Sequence, residues 1–290
     1  MGERAVLLEA RGLTVRFGGH LAVDAVDLAV RTGSITGLIG PNGAGKTTTF
    51  NALCGLQNTA QGTVHLANRD LTPLSPHKRA RLGLARTFQR LETFALLSVR
   101  ENILAGAEFR QRGQRAGVNA AAVTDELIQR LHLGDVADER VDGLPTGRAR
   151  LVEVGRALAN GPRVLLLDEP SSGLNEAETT ELGIVLGELA ADGLAVLLVE
   201  HDMKLVMGSC EEIYVLDFGR IIASGTPAHI QSDDLVRAAY LGADHEADQH
   251  SEPTGAVTAS ARERPADPSA AVATSRRSAS TATEAAVPAL

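Results

Sequence analysis

The most informative motif of the sequence is Gly40-Pro41-Asn42-Gly43-Ala44-Gly45-Lys46-Thr47, which Thr48 follows. It fits the pattern G-x-x-x-x-G-K-[ST], in which glycines let the backbone fold around an anion with successive N–H groups facing its oxygens. In this pattern Lys46 reaches the β- and γ-phosphates, and the hydroxyl of Thr47 is suited to bind Mg²⁺. We therefore expect the residues from Gly40 to Thr48 to bind a nucleotide.

The sequence on either side of this loop has the required form. Ser34 to Ile39 is typical of a buried strand, and Thr48 to Leu56 is typical of a helix. A helix that begins at about Thr47 would place the positive end of its dipole at the phosphates. The alternative is a Gly-rich turn that fits the pattern by chance. It is disfavoured because lysine is scarce in this chain and because strand, loop and helix follow in the expected order.

Composition and charge exclude several classes of protein. At 290 residues the chain can bury one or two domain cores. Its net charge of −8 and isoelectric point near 5.5 argue against nucleic-acid binding, which needs a basic face. The longest clear apolar run, Leu194 to Val199, is only strand-sized, and Met1 to Arg4 lacks the long apolar core of a signal peptide. We expect Cys54 and Cys210 to be reduced packing residues in a cytosolic protein.

A second motif supplies two adjacent carboxylates. The continuous apolar run Val164 to Leu167 predicts a strand buried on both faces, as in a parallel sheet, and it ends in Asp168 and Glu169. Ligands bind at the carboxyl ends of such strands. We expect Asp168 to hold Mg²⁺, directly or through water, and Glu169 to polarise the attacking water. The alternative, helix capping, accounts for one carboxylate better than for two.

Further strands follow from the same kind of pattern. Alternating apolar and polar residues predict half-buried antiparallel strands over Leu7 to Phe17 and Val26 to Val30. By itself, an aromatic such as Phe17 is compatible with a place in the core. Two other predicted strands end in polar residues: Ala85 to Gln89, and Leu194 to Val199 followed by Glu200-His201-Asp202.

Helices are indicated by their capping residues and by charge. A helix from Ser98 or Val99 to about Arg112 begins with a capping box formed by Ser98 and Glu101. Pro73 to Gly83 contains a loop and then a basic helix with His77, Lys78, Arg79 and Arg81. The other long predicted helices are Ala120 to His132, about Arg148 to Ala159, and Glu176 to Ala191.

The composition changes abruptly at Ala243. From there to Leu290, Ala, Ser, Thr and Pro dominate. Such a segment cannot bury enough apolar surface to offset the entropy of ordering it, so a disordered tail is predicted over 243–290. The tail is expected to be passive. The alternative is a modification or docking site at Arg276-Arg277-Ser278.

The order and spacing of these motifs resemble a known family, the ATP-binding subunits of ABC transporters, over about residues 5 to 242. The resemblance rests on Gly40 to Thr48 as the Walker A motif, Val164 to Glu169 as the Walker B motif, Gln89 in the Q-loop, Ser172 to Asn175 as the D-loop, His201 as the switch histidine, and Phe17 at the aromatic position that stacks on adenine. It implies an α/β fold: a RecA-like P-loop nucleotide-binding domain with an antiparallel β-subdomain and an α-helical subdomain at about 90–155.

The resemblance also implies roles for the site residues. Lys46, Thr47 and Mg²⁺ neutralise phosphate charge, Glu169 orients water, and His201 contacts the γ-phosphate of ATP. Gln89 senses the nucleotide at the junction with the helical subdomain. The implied ligands of Mg²⁺ are Thr47, Gln89 and Asp168.

One motif departs from the family pattern. The family signature is Leu-Ser-Gly-Gly-Gln, whereas this chain has Leu144-Pro145-Thr146-Gly147-Arg148. Gly147 and the N-terminus of the following helix remain, so backbone N–H groups are available to a γ-phosphate. Pro145 removes the serine hydroxyl, and Arg148 replaces the glutamine. This departure predicts a heteromeric pair of ATPase subunits with two unequal sites.

The family implies partners and a location. Two ATPase subunits bind two ATP molecules head to tail, each site combining the Walker motifs of one subunit with the signature of the other. The helical subdomain faces two transmembrane permease subunits. An extracytoplasmic solute-binding protein delivers the solute to these permease subunits and is therefore an indirect partner. The expected place of this chain is the cytoplasmic face of the cell membrane, with no nucleic-acid partner.

Several stretches resemble the branched-chain amino-acid importer branch of the family, and among its two ATPase subunits the longer one. These are Arg16 to Gly19, Arg86 to Gln89, Gly173 to Asn175, Glu200 to Met207, and Ala239 to Gly242. Within transport, a urea, amide or lipopolysaccharide system is the alternative. ABC-type ATPases of iron–sulfur assembly, DNA repair or translation form another class, but this chain has neither the insertions of repair enzymes nor the tandem cassettes of translation factors. A non-hydrolysing regulator is disfavoured because Glu169 and His201 are both present.

Overall fold

The computed structural model describes residues 4–114 and 119–239, which belong to one compact unit. The strands are β1 Val6–Phe17, β2 His20–Arg31, β3 Ile35–Ile39, β4 Gln61–Leu66, β5 Arg69–Asp70, β6 Leu84–Arg86, β7 Val164–Asp168, β8 Ala195–Val199, β9 Glu212–Asp217 and β10 Arg220–Gly225. The helices are α1 Lys46–Cys54, α2 Pro76–Arg81, α3 Val99–Gln114, α4 Ala120–Arg130, α5 Thr146–Ala159, α6 Glu176–Ala191, α7 Met203–Ser209 and α8 Pro227–Ser232. The predicted tail at 243–290 lies outside the described residues.

A six-stranded sheet forms the centre, in the order β10-β9-β3-β8-β7-β6. All its pairings are parallel except that of β10 with β9. All five residues of β7 are buried, because layers cover the sheet on both faces. Val164 and Leu166 join the core shared with β1, β2 and α1, whereas Leu165 and Leu167 join the core shared with α3 to α6. The uninterrupted apolar run in the sequence is therefore the signature of this central position.

A second, antiparallel sheet of four strands has the order β2-β1-β4-β5. Its long hairpin joins β1 to β2, with Phe17 opposite His20 at the turn. Residues that alternate along β1 and β2 supply its buried face, including Leu8, Val15 and Val30. This sheet is the antiparallel β-subdomain expected from the family resemblance.

The third part is helical and is built from α3, α4 and α5. Ser98 and Glu101 form the predicted capping box at the start of α3: the N–H of Glu101 donates to the Ser98 hydroxyl, and the N–H of Ser98 donates to the Glu101 carboxylate. Ile103 of α3, Leu131 at the end of α4 and Val154 of α5 are fully buried. The predicted fold class is confirmed in all three parts.

Several predicted bounds differ from the structure; the strand predicted over Val26 to Val30, for example, is β2 from His20 to Arg31. The strand predicted over Ala85 to Gln89 ends at Arg86, although the N–H of Thr87 still donates to Leu166 O of β7. The helix predicted from Arg148 begins at Thr146, because Pro145 is well suited to precede a first helical turn. Arg79 belongs to the predicted basic helix, which is α2, and its side chain is buried. Its guanidinium donates to the carbonyls of Ala52 and Leu53 at the end of α1, groups that have no partner within that helix.

Candidate nucleotide-binding and hydrolysis site

The carboxyl ends of four neighbouring parallel strands converge at one edge of the large sheet. The phosphate loop follows β3, the segment Glu200-His201 follows β8, Asp168 ends β7, and the segment containing Gln89 follows β6. Since β3, β8, β7 and β6 are adjacent in that order, residues far apart in sequence are brought to a common edge. This is the edge at which open parallel sheets bind ligands.

The loop before α1 depends on two of its glycines. Gly40 has a φ of 150°, and a Cβ there would lie 1.9 Å from Leu216 O. Gly45 has a φ of 105°, and its Cβ would lie 2.6 Å from Ala22 O of β2. Only glycine fits such positions. Gly45 caps α1 without any side-chain hydrogen bond, so the first-turn N–H groups of α1 are available to an anion.

Lys46 is folded back onto this loop. Its ammonium donates to Gly40 O at 2.7 Å and to Pro41 O at 3.0 Å, and its side chain is buried. Burial lowers the pKa of Lys46 from its ordinary value, while the charges of Glu169 and Asp168 act in the opposite direction. The ammonium therefore lies within the loop, near both strand-end carboxylates, where phosphate groups need a cation.

Phe17 is half exposed at the end of β1 and does not belong to either core cluster. The β1–β2 hairpin that carries Phe17 packs against the phosphate loop. Ala22 O of β2 leaves no room for a Cβ on Gly45. The Phe17 ring is therefore open to solvent on the hairpin next to the phosphate loop. Phe17 is thus not a core residue, which was the alternative compatible with the sequence alone.

Asp168 is buried at the end of β7 and is paired with Arg86. The guanidinium of Arg86 lies 2.7 Å from the carboxylate and also donates to the side chain of Asn51 in α1. The guanidinium carbon of Arg86 lies 5.6 Å from the centre of the Phe50 ring and 4.9 Å from the centre of the Phe88 ring. Burial raises the pKa of Asp168, and Arg86 counteracts this effect. One carboxylate oxygen accepts the hydrogen bond of Arg86, so the other oxygen remains for a ligand.

Glu169 has an unusual backbone conformation for a non-glycine residue. Its φ is 48°, and its N–H donates to Val199 O of β8 at 2.8 Å. Such left-handed residues cost free energy and are enriched at functional sites. The side-chain amide of Gln89 donates to the Glu169 carboxylate at 2.9 Å, which leaves the amide oxygen of Gln89 free. The structure therefore brings together the two residues that the sequence placed in the Walker B motif and the Q-loop.

His201 is largely exposed, with its Nδ1 3.9 Å from a carboxylate oxygen of Glu200. Glu200 itself is completely buried. A role was predicted from the sequence for His201 but none for Glu200. The available signal was its position, because Glu200 directly follows the fully apolar strand β8, just as Glu169 directly follows β7.

The signature segment lies at the N-terminus of α5. Gly147 is buried, and a Cβ on it would lie 2.7 Å from the carboxyl group of Glu178 in α6. Arg148, which stands where the family has glutamine, donates to His132 O and forms an ion pair with Asp135. Its side chain is therefore anchored on the turn after α4.

A buried ion pair on α5 holds the Q-loop. Arg150 and Glu153 lie 2.8 Å apart with almost no exposed side-chain surface. Arg150 donates to the carbonyls of Phe88 and Gln89, and Glu153 accepts from the N–H groups of Phe88 and Glu92. No role was predicted for this pair, although two opposite charges three residues apart among apolar positions of α5 are visible in the sequence.

The fold and this edge define a P-loop nucleoside triphosphatase, with a phosphate loop, a strand-end carboxylate pair and an attached helical part. Sequence comparison makes the class more specific. The family described as ABC transporter matches residues 23–172, and the family described as branched-chain amino acid ATP-binding cassette transporter matches residues 220–246. The chain belongs to the ATP-binding proteins of ABC transporters, and it is a nucleotide-binding, ATP-hydrolysing transport ATPase.

Curated relatives and solved structures agree with this assignment. The high-affinity branched-chain amino acid transport ATP-binding protein LivG of Salmonella typhimurium is 40% identical over 253 residues, which cover 81% of this chain and 98% of LivG. The lipopolysaccharide export system ATP-binding protein LptB of Acidithiobacillus ferridurans is 37% identical over 236 residues, covering 81% and 97%. A solved ATP-binding cassette of an ABC transporter in its ADP conformation is 29% identical, with a TM-score of 0.74 over 82% of this chain and 99% of that cassette.

Proposed function

We propose that this chain hydrolyses ATP to energise an importer of branched-chain amino acids. The observation that carries the choice of solute is the match of residues 220–246 to the branched-chain amino acid cassette family, because this segment lies outside the general ABC match at 23–172. The likeness to LivG along most of both chains supports the same choice. The ATPase itself contains no solute site in this proposal.

The chain's own residues perform the chemical step. Lys46 and the first-turn N–H groups of α1 bind the β- and γ-phosphates, and Phe17 stacks on adenine. Glu169 accepts a hydrogen bond from the attacking water, whose oxygen forms the new bond to the γ-phosphorus as the bond to the β–γ bridging oxygen breaks. The water proton passes to Glu169, and ADP and phosphate leave. His201 donates a hydrogen bond to the γ-phosphate and stabilises its developing charge.

The residues at the site fit Mg²⁺. The hydroxyl of Thr47, the free oxygen of Asp168 and the amide oxygen of Gln89 are hard oxygen donors of the kind that Mg²⁺ takes in phosphate-transfer sites. Bound Mg²⁺ would neutralise phosphate charge. Arg86 keeps the Asp168 carboxylate in a fixed orientation for this ligand, since it holds one oxygen and ties it to Asn51 of the phosphate-loop helix.

A second ATPase subunit completes each site in this proposal. The N-terminus of α5 has no side-chain cap at Pro145, so the backbone N–H groups around Gly147 remain for the γ-phosphate held by the partner. Arg148 is anchored to Asp135 and contributes no amide in place of the family's glutamine. Because this signature lacks both the serine hydroxyl and the glutamine, a heteromeric head-to-tail dimer with unequal sites is the assembly we propose.

A cleft of about 490 Å³ between the large sheet and the helical part is the proposed docking surface for the permease. Its lining includes Leu56, Phe88, Phe94 and Phe109, each with about half of its surface exposed. Such a contiguous apolar surface is typical of a protein interface. Phe88 is adjacent to Gln89 and stacks on Arg86, so an occupant of the cleft would contact the segment that reaches Glu169 and Asp168.

Location follows from these partners. No helix in 4–114 or 119–239 is long and apolar enough to cross a bilayer. We propose that the chain reaches the cytoplasmic face of the membrane through two permease subunits, which receive solute from an extracytoplasmic binding protein.

Uptake of labelled leucine by cells that lack this chain tests the proposal. Wild-type protein and the exposed-residue control Lys78→Ala should restore uptake, whereas Lys46→Ala should not. Restored ATPase activity without leucine uptake would contradict the proposed solute.

Lipopolysaccharide export is the second candidate, because LptB is 37% identical over a similar share of the chain. It predicts a different phenotype: loss of this chain would leave leucine uptake intact and would stop delivery of lipopolysaccharide to the cell surface.

A further inference from the structure

Glu200 is a buried carboxylate to which the proposed mechanism gives no role. Its side chain is fully buried at the end of β8. One carboxylate oxygen accepts the N–H of Ser171 at 2.7 Å, and the other accepts the N–H groups of His201 at 3.1 Å and Asp202 at 3.4 Å. A single carboxylate thus binds two separate segments of the site edge.

These two segments carry the groups that act on the γ-phosphate. Ser171 lies two residues after Glu169, in the turn that follows β7, and His201 begins the segment that follows β8. The turn is also fastened to β8 by the hydrogen bond from the N–H of Glu169 to Val199 O. Because Glu169 has a left-handed conformation, its position requires support from its surroundings. Glu200 supplies the second attachment of this turn.

Burial makes a purely stabilising role for Glu200 a poor explanation. A buried carboxylate loses hydration that hydrogen bonds only partly replace, and an apolar residue of similar size commonly serves stability as well or better. Among the described residues, no lysine or arginine forms an ion pair with Glu200; the imidazole of His201 lies 3.9 Å from the carboxylate, and the charge of Glu200 also acts on the buried thiol of Cys210. The carboxylate is suited instead to binding several N–H groups at once.

We infer that Glu200 is a positioning residue for ATP hydrolysis, which holds the Glu169 turn and His201 in register with each other. This inference rests on the proposed mechanism. With Nδ1 of His201 facing Glu200 at 3.9 Å, Nε2 is the ring nitrogen that remains for the γ-phosphate. Movement of either segment would misalign the water, the base and the phosphate.

The test is Glu200→Gln in the assembled transporter. Glutamine has the same size, but its NH₂ group cannot accept an N–H, so one of the two segments loses its partner. We expect kcat for ATP to fall by about 10- to 100-fold, in line with the sensitivity of positioned reactions to small displacements, with the Kd for ATP changed by less than about twofold. Glu188→Gln, the same change at an exposed position of α6, should leave both constants at wild-type values.

A second measurement separates positioning from loss of folded protein. In single-turnover reactions, Glu200→Gln should slow the Glu169→Gln variant much less than it slows the wild type, because both changes disable the same step. Equal slowing in both backgrounds, or a wild-type kcat for Glu200→Gln, would overturn the inference. These outcomes can be told apart from a failure of the proposed function, because in that case the wild-type complex itself would have no ATPase activity.

Discussion

The guanidinium of Arg86 lies 2.7 Å from the carboxylate of Asp168, and both side chains are almost completely buried. Arg86 also donates to the side chain of Asn51 in α1 and to Thr87 O next to the Q-loop. The pair therefore ties together the phosphate-loop helix, the carboxylate proposed to hold Mg²⁺ and the segment that leads to Gln89.

Replacing Arg86 by methionine should destabilise the fold strongly. The substitution leaves the Asp168 carboxylate buried without its cation, and removal of one partner of a buried pair costs about 3 to 5 kcal/mol. Urea denaturation measures the free energy of unfolding. Arg69→Met, at an exposed position, should change it by no more than about 0.5 kcal/mol. Equal stability of the two variants would show that the pair is not the constraint described here.

Substitution of Gly40 by alanine should abolish ATP binding. A Cβ at this position would lie 1.9 Å from Leu216 O, so the loop cannot keep its conformation. Gly187→Ala is the matched control: no atom lies within 4 Å of its Cβ, and alanine in a helix is favoured over glycine by about 1 kcal/mol. Binding of a fluorescent ATP analogue should be lost only in the first variant, and Tm should rise only in the second. Normal affinity of Gly40→Ala would contradict the loop geometry.

The two cysteines should resist thiol reagents in the native protein. Burial raises the pKa of Cys54 to about 11 and that of Cys210 to about 12, from an ordinary value of 9.0. Because the folded state favours the protonated thiols, their contribution to stability is complete below pH 9.0 and is lost as pH rises toward these folded values. Labelling at pH 8 followed by mass spectrometry should find both free thiols unmodified until the protein is denatured. Rapid native labelling would contradict their burial.

Much of the fold could be predicted because local pattern and tertiary position agree. The run Val164 to Leu167 is apolar since both faces of β7 are covered, and Ser98 with Glu101 marks the start of α3 through contacts three residues apart. The phosphate loop is predictable for a similar reason, because its glycines and Lys46 act within one short segment.

The buried charges could not be predicted in the same way. Arg79 and Arg86 belong to locally polar segments, and their burial results from partners distant in sequence: the end of α1 for Arg79 and Asp168 for Arg86. The carboxylate of Glu200, which follows β8, accepts a hydrogen bond from the N–H of Ser171, which follows the adjacent strand β7. No periodicity in the sequence encodes such pairings, so the polar network behind the site is known only from the structure.

ATP turnover by the assembled transporter with Glu169→Gln tests whether the edge formed by β3, β8, β7 and β6 is an ATP hydrolysis site with Glu169 as its base. The substitution keeps the size of the side chain and removes the charge that polarises water. We expect the variant to bind and retain ATP while steady-state hydrolysis falls by at least about 100-fold. Turnover close to that of the wild type would contradict this assignment.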